Sequence, residues 1–117
     1  MNRQIKFRAW HMPFGSKEPM QEMLHRRASS ILSFAEMNPD AYIVERFTGL
    51  KDSNGKEIYE GDLVQLDPDD SPYKVIFDEG KFEITGNGVT YDLGEEFMDC
   101  EIIGNIHEDK DLLEADK

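Results

Sequence analysis

Hydrophobic and polar residues alternate at the start of the chain. Residues 5–10 read IKFRAW, so that Ile, Phe and Ala occupy every second position. An alternation of period two is typical of a strand that buries one of its faces. The spacing therefore predicts a strand here, with Lys6, Arg8 and Trp10 on one face and the two basic side chains pointing to solvent.

A loop and a helix are predicted next. Residues 13–19, PFGSKEP, combine two prolines with Gly and Ser, which indicates a loop. After the loop, apolar residues recur at spacings of three and four, at Met20, Met23, Leu24, Ala28, Ile31 and Ala35. This periodicity predicts one amphipathic helix over residues 20–37 that ends near Asn38 and Pro39. The alternative is a short strand at residues 29–34, SSILSF, because Ser, Ile and Phe do not decide between the two structures.

The rest of the chain has the pattern of short strands separated by turns. Seven runs are rich in β-branched and aromatic residues: 42–48, 56–60, 63–67, 73–78, 81–85, 89–93 and 100–106. Turn pairs stand between several of them, at Asn54-Gly55, Gly61-Asp62, Glu79-Gly80 and Asn87-Gly88. Since Asn-Gly supplies the positive φ angles that tight hairpins require, consecutive strands are expected to pair antiparallel.

These elements predict a mainly β (α+β) fold. Many short strands hide their edges when the sheet closes on itself or stacks on another sheet. We therefore expect a small antiparallel barrel or sandwich of short strands, with the helix of residues 20–37 packed outside it. The length of 117 residues fits one domain, residues 1–117, and there is no internal repeat. Residues 107–117 are expected to form at most one or two helical turns.

Negative charge is concentrated in the second half of the chain. The net charge is −12. Residues 1–58 contain nine Lys and Arg against seven Asp and Glu, a sum of +2, whereas residues 59–117 contain four against eighteen, a sum of −14. A nucleic-acid partner is disfavoured, because such binding needs Lys and Arg to displace counterions from the phosphates.

The sequence also bears on location. It contains neither a secretory signal nor an apolar stretch long enough for a transmembrane helix, so no membrane partner is expected. Cys100 is the single cysteine, which excludes an intrachain disulfide and fits a reducing compartment. These features favour the cytosol.

Tyr59, Glu60 and Asp62 are the first candidates for chemistry. If Glu60 and Asp62 share one face of a hairpin, the two carboxylates can raise one pKa and hold a proton between them, as in a hydrolase. The alternative is structural: Glu60 faces solvent, Gly61 and Asp62 make the turn, and Tyr59 packs inward. Turns favour Gly and Asp for backbone reasons alone, so the structural interpretation is preferred.

Other kinds of site have weaker signals. His11, His25, His107 and Cys100 lack the spacing of metal ligands, so no metal site is predicted. The acidic run at residues 67–70 lacks the Gly and closing Glu of a calcium loop. No Gly-rich segment opens a helix, which argues against a nucleotide enzyme, and no cofactor is indicated. Nothing beside Cys100 would lower its pKa, so a buried structural thiol is expected.

The first strand is a second candidate site, for binding. Lys6, Arg8 and Trp10 on one face could stack on a base or grip a peptide carboxylate. The alternative is that Trp10 closes the mouth of a barrel while the two cations protect an edge strand from pairing with other chains.

Three segments resemble a known family. "IKFRAW" near the start, "FTGLKDSNGKEIYEGDLV" in the middle and "EIIGNIHED" near the end are similar, in order and spacing, to the signature segments of the YopX family of small phage and prophage proteins. The resemblance implies a compact, largely β domain and supplies no catalytic residues. The chain departs from the family pattern at His11, where an acidic residue is usual, and at Phe47, where Tyr is frequent. The resemblance covers about half of the chain and does not include the segment from His11 to Ala41.

A function follows from these points as a hypothesis. We expect a non-enzymatic, phage-derived β domain that binds a protein partner or a second copy of itself. One alternative is an acidic decoy that presents carboxylates to a host DNA-binding protein in place of phosphates. The other is a hydrolase that uses Glu60 and Asp62.

Overall fold

The fold is mainly β. A computed structural model describes residues 5–114. The strands are β1 (Phe7–His11), β2 (Glu22–His25), β3 (Tyr42–Lys51), β4 (Glu57–Tyr59), β5 (Asp62–Gln65), β6 (Tyr73–Asp78), β7 (Lys81–Gly86), β8 (Val89–Asp92) and β9 (Glu101–Asn105). The helices are α1 (Ala28–Met37), α2 (Leu93–Glu96) and α3 (Lys110–Glu114), with 3-10 turns at Pro39–Ala41 and Phe97–Asp99. With two antiparallel sheets, one half-barrel and few, short helices, the predicted fold class is confirmed.

The chain divides into two compact units, Met1–Phe47 and Thr48–Lys117. In the described part of the first unit, β1 lies between β2 and β3, and both neighbours run antiparallel to it. Helix α1 covers one face of this sheet, where the buried Ile31 packs with Ala9 and Leu24. Whether the whole chain behaves as one domain stays a prediction.

The predicted helix at residues 20–37 is only partly correct. Residues 22–25 form strand β2, with Leu24 opposite Ala9 and Met23 opposite Trp10, and the helix is confined to Ala28–Met37. The alternative prediction, a strand at residues 29–34, is wrong, because these residues lie inside α1. Spacings of three and four do not exclude a short strand when pairing with a neighbour can bury every second residue.

Strand β3 runs from the first unit into the second, where it is followed by β4. The sheet order is β2-β1-β3-β4. Within the second unit, the hydroxyl of Thr48 donates to the Ile58 carbonyl at 2.7 Å and accepts from the Leu50 N–H at 3.2 Å. The connection from β3 to β4 uses Gly55 at φ 83°, as expected for a tight turn.

The second sheet has the order β8-β7-β6-β5-β9. The turns from β6 to β7 and from β7 to β8 contain Glu79-Gly80 and Asn87-Gly88, and all four residues have positive φ. Two-residue loops of this kind match the twist of antiparallel strands. One face of the sheet forms the core of this unit with Ile58, Val64, Tyr73, Val75, Ile84, Leu93 and Cys100.

All seven predicted strands of the second part are present, with ends that differ by at most three residues. Strand β6 has the predicted limits. The C-terminal prediction is met by the short helix α3, while residues 115–117 of that segment lie outside the described residues. Helix α2 was not indicated by the sequence. Among residues 5–114, no helix has the length and apolar character needed to cross a membrane.

Candidate functional site

The face of β1 that carries Arg8 and Trp10 is buried, so the expectation that its basic residues point to solvent is wrong for Arg8. The relative exposure is 5% for Arg8 and 6% for Trp10, and Lys6 is half-buried. The alternation of period two correctly predicted that Lys6, Arg8 and Trp10 share one face. Both faces of the strand, however, are covered. Arg8 and Trp10 are therefore unsuited to gripping an external base or carboxylate.

Arg8 is instead half of a buried ion pair. Its Nε donates to Oε1 of Glu45 on β3 at 2.9 Å, and strand pairing places the two residues directly opposite each other. Removing one partner of such a pair leaves an uncompensated buried charge, which costs roughly 3 to 5 kcal/mol. The pair thus fixes the register of β1 against β3.

Trp10 holds a loop through Gln21. The indole Nε1 donates to Oε1 of Gln21 at 2.7 Å. The amide nitrogen of Gln21 donates in turn to main-chain carbonyls of the loop, those of Ser16 at 3.0 Å and Glu18 at 2.8 Å, with a longer contact of 3.5 Å to Gly15. Trp10 is therefore an anchor for the predicted loop at residues 13–19.

Tyr59, Glu60 and Asp62 form a tight turn between β4 and β5. Tyr59 is buried, as the structural interpretation required, and Gly61 has φ 90°. Asp62 is also buried, and its Oδ2 accepts from the main-chain N–H of Tyr59 at 2.7 Å. Glu60 is half-buried and does not face solvent fully. This geometry favours a structural role for Asp62, which holds the turn closed.

Asp52 is an important residue that the sequence did not single out. Its Oδ1 accepts from the N–H groups of Asn54 at 2.9 Å and Lys56 at 2.8 Å, and its Oδ2 accepts from Ile102 on β9 at 2.9 Å. Burial alone would raise the pKa of Asp52, but the three N–H groups, together with the charge of Lys56, hold it below its ordinary value of 3.8. The only signal was its position two residues before Asn54-Gly55.

A similar capping role belongs to Asn105, at the end of β9. Its Oδ1 accepts from the N–H groups of His107 and Glu108, each at 2.9 Å, and its Nδ2 donates to Oε1 of Glu108 at 2.8 Å. A Cβ at the preceding Gly104 would displace the carboxylate of Asp109, which accepts from the Asn105 N–H. The polar groups of this segment therefore shape its own backbone.

Cys100 is a buried thiol, as expected. Burial, together with the negative charges of Glu96, Asp99 and Asp52, raises the pKa of Cys100 to about 11. Since the thiolate is the reactive form, Cys100 is poorly suited to act as a nucleophile. The described residues also contain no group of His, Cys, Asp and Glu side chains arranged to hold a metal ion.

A cleft of about 240 Å³ lies in the first unit, between the loop after β1 and the segment after α1. Its lining comes from Met12, Pro13, Gly15 and residues 38–41. A main-chain hydrogen bond from Met12 N–H to the Ala41 carbonyl, 2.7 Å long, joins its two sides. An apolar cavity of about 150 Å³ accepts a benzene ring, so this cleft has room for one large side chain.

Two exposed apolar side chains are next in sequence to residues that line this cleft. Phe14, between the lining residues Pro13 and Gly15, is 64% exposed, and Met37, next to Asn38, is 76% exposed. Phe34, one turn before Met37 on α1, stacks on Tyr42 at a centroid distance of 6.0 Å. We call Phe14, Phe34, Met37 and the cleft the first-unit apolar surface. Exposed apolar patches of this kind often mark binding sites.

Comparison with known proteins identifies the family. The family model described as "YopX protein" matches residues 6–114. The chain belongs to the YopX family. Among curated proteins, none matches the chain. A solved structure similar to this YopX-family protein is the "Crystal structure of protein EF1440 from Enterococcus faecalis", with a TM-score of 0.59 and 23% sequence identity over 96% of this chain and 99% of that one. At this identity the likeness concerns the fold alone.

The three segments of this YopX-family protein that resemble the family signature have structural roles. They supply the buried ion pair of Arg8, the caps formed by Asp52 and Asp62, and the turn at Asn105. The two departures from the family pattern are accommodated as well. His11 stacks on Tyr42 at a centroid distance of 4.6 Å, and the Lys6 ammonium lies 5.2 Å from the ring centre of Phe47.

Proposed function

We propose that this YopX-family protein acts without catalysis, by binding a protein partner through the first-unit apolar surface. The observation that carries this proposal is the exposure of Phe14 and Met37, which are next in sequence to lining residues of a cleft large enough for one partner side chain. Removal of exposed apolar area from water favours binding. Interface energy is usually concentrated in a few such anchoring contacts.

The roles of the signature residues support the same conclusion. The carboxylates of Asp52 and Asp62 are occupied by main-chain N–H groups, which makes them part of the scaffold. Burial and the nearby carboxylates raise the pKa of Cys100 to about 11, which leaves even less of the reactive thiolate at neutral pH than an ordinary cysteine has. Asp62 and Cys100, two of the residues considered for chemistry, therefore have structural tasks, and the first-unit apolar surface offers a binding role that needs no chemistry.

Substitutions of the two most exposed side chains of the first-unit apolar surface test the proposal. Phe14→Ser and Met37→Ser should weaken capture of a partner from bacterial lysate by at least about tenfold in quantitative pull-downs, or about 1.4 kcal/mol. Met98→Ser is the matched control, because Met98 is 68% exposed in the second unit. Equal capture by all three variants would refute the proposal.

Self-association is the related possibility. If a second copy is the partner, the cationic groups of one copy and the acidic second unit of another would attract each other, and the association should weaken as salt rises. Light scattering across a salt series distinguishes this charge-driven association from one held by Phe14 and Met37, because salt would not weaken contacts between apolar side chains.

An acidic decoy is the second candidate function. The second unit, residues 48–117, contains six Lys and Arg against twenty Asp and Glu, a sum of −14. Asp67, Asp69 and Asp70 are exposed in the loop between β5 and β6. Replacing all three with Asn should relieve inhibition of a host DNA-binding protein in a mobility-shift assay, and unchanged inhibition would refute the decoy.

The setting of this function is also part of the proposal. The resemblance to phage and prophage proteins and the single thiol of Cys100 favour a phage-derived protein in the bacterial cytosol, with neither nucleic acid nor membrane as its partner. Fractionation of cells that express the tagged protein checks the cytosolic location and the absence of a membrane partner. A duplex-DNA mobility shift checks the absence of a nucleic-acid partner.

A further inference from the structure

Strand β8 is an edge strand with little protection. It ends the five-stranded sheet, and β7 is its neighbour within the described chain. Val89 and Tyr91 are 41% and 39% exposed, and Thr90 between them is exposed as well. Of the features that usually protect such edges, β8 has a short length of four residues and the charge of Asp92, but it contains neither Lys nor Pro.

The hairpin geometry shows which main-chain groups face outward. Gly86 and Val89 flank the two-residue Asn87-Gly88 loop, so they form the hydrogen-bonded pair that closes the hairpin. The next pair, Thr85 and Thr90, is then a non-hydrogen-bonded pair, which agrees with its hydroxyl contact of 3.0 Å. The N–H and C=O of Thr90 therefore point away from β7, where an added strand could pair with them.

The side chains of the edge differ between its two faces. Tyr91 lies on the core face, 5.9 Å from Tyr73 between ring centroids, and Val89 shares that face. On the other face, Asp92 lies opposite Glu83, and Lys81 lies 3.5 Å from the Glu83 carboxylate and 3.9 Å from that of Asp92. One face is thus apolar, and the other has two carboxylates beside one ammonium group.

We propose that the β8 edge binds an extended segment of a partner protein in which apolar residues alternate with Lys or Arg. Added-strand pairing supplies affinity through the main chain, while the alternating side chains supply specificity. The apolar residues would cover Val89 and Tyr91, and the basic residues would meet Asp92 and Glu83. The choice of occupant rests on charge, since a second copy would bring another unit of −14 to the same edge.

This inference rests on the proposed protein-binding function and concerns a different surface. The probe is a fluorescein-labelled peptide of about six residues, a typical strand length, with alternating Val and Lys. Its fluorescence anisotropy should rise on titration with the full chain. A peptide with Glu in place of Lys should bind at least about tenfold more weakly, and comparable binding would overturn the proposal.

Two further comparisons test the main-chain pairing. Thr90→Pro removes the outward N–H and should weaken binding of the Val-Lys peptide about tenfold, whereas Thr90→Val, which keeps the N–H, should not. N-methylation of one alternating set of peptide amides should abolish binding to the unmodified protein, and N-methylation of the other set should not. The peptide comparison decides the matter even if Thr90→Pro fails to fold.

The remaining outcomes are equally informative. Equal binding of both N-methylated peptides would overturn the added-strand geometry. Dimers of the free protein that disappear in Thr90→Pro would identify a second copy as the occupant and overturn the choice of partner. Failure of every peptide, combined with loss of partner capture in Met37→Ser, would refute the β8 proposal and leave the proposed function standing.

Discussion

The three hydrogen bonds of Asp52 make a quantitative prediction about stability. In Asp52→Asn, one side-chain oxygen becomes an NH2 group. The remaining oxygen can still accept from Asn54 and Lys56, but the NH2 group then faces the N–H of Ile102, which now has no acceptor. The variant also loses the negative charge that strengthens the other two bonds.

The size of the effect follows from these contacts. A hydrogen bond to a charged group contributes about 1.5 to 3 kcal/mol, and a donor left without a partner in a partly buried position costs about 1 to 3 kcal/mol. Both figures include the loss of the bond to the Ile102 N–H, so they cannot simply be added. We expect Asp52→Asn to lower the free energy of unfolding by about 2 to 4 kcal/mol. That is a large part of the stability of a small protein.

The assay is urea denaturation followed by far-ultraviolet circular dichroism, with wild type and variant compared at equal m-value. Asp67→Asn is the matched control, since Asp67 Oδ1 accepts from the Asp69 N–H at 2.9 Å but the group is exposed. The control should change stability by no more than about 0.5 kcal/mol. Equal losses in the two variants would show that the Asp52 contacts have no special importance.

The same bonds predict a pH dependence. The pKa of Asp52 is lower in the folded protein than its ordinary value of 3.8, so the carboxylate stabilises the fold fully at pH values above 3.8. This stabilisation is lost as the pH falls from 3.8 through the lower pKa of the folded state. The stability difference between wild type and Asp52→Asn should therefore narrow in acid, and a difference that stays constant down to the acid transition would refute the reasoning.

Three other predictions follow from the structure. Gly55→Val should lower stability by on the order of 1 to 2 kcal/mol because φ is 83° there, while Gly55→Asn should lower it less; a melting temperature of Gly55→Val equal to wild type would contradict the turn. Asp62→Ala should cost about 1 to 3 kcal/mol in urea denaturation because Tyr59 N–H loses its acceptor, and Asp62→Asn should recover part of this loss; full stability of the Ala variant would contradict the cap. The pKa of Cys100 rises from 9.0 to about 11 on folding, so the unfolded state ionises first and the free energy of unfolding falls between these pH values. Cys100→Ala should remove roughly 2 to 3 kcal/mol of this alkaline loss, and identical stability–pH profiles of wild type and variant would contradict the prediction.

Much of the fold could be predicted from the sequence because its signals are local. Strand β6 has the predicted limits, since its alternation is bounded by Pro72 on one side and by the Glu79-Gly80 turn on the other. Strand β2 was missed because four residues, Glu-Met-Leu-His, are too few to show a period, and pairing with β1 decides their conformation. The period of a strand gives its two faces but does not say which face is covered.

The structural roles of the charged residues were harder to predict because their contacts are distant in sequence. Arg8 is paired with Glu45, 37 residues away, and Asp52 accepts from Ile102, 50 residues away. A charged residue inside a strand has the same appearance in sequence whether it meets solvent or a buried partner. Asp62 was predicted to serve the turn because Gly and Asp favour turns, and its contact with Tyr59 is indeed local, three residues away.

The way Gln21 holds the loop has a consequence for how this protein can change. Its amide donates to main-chain carbonyls, which every amino acid possesses, so the anchor depends on Gln21 and Trp10 and on the length of the loop. Apart from Gly15, whose φ of 104° favours glycine, the side chains of residues 13–19 can then be exchanged without loss of the anchor. A segment fixed by its backbone and variable in its side chains is suited to acquiring new partners by mutation, as the loops of antibody binding sites are.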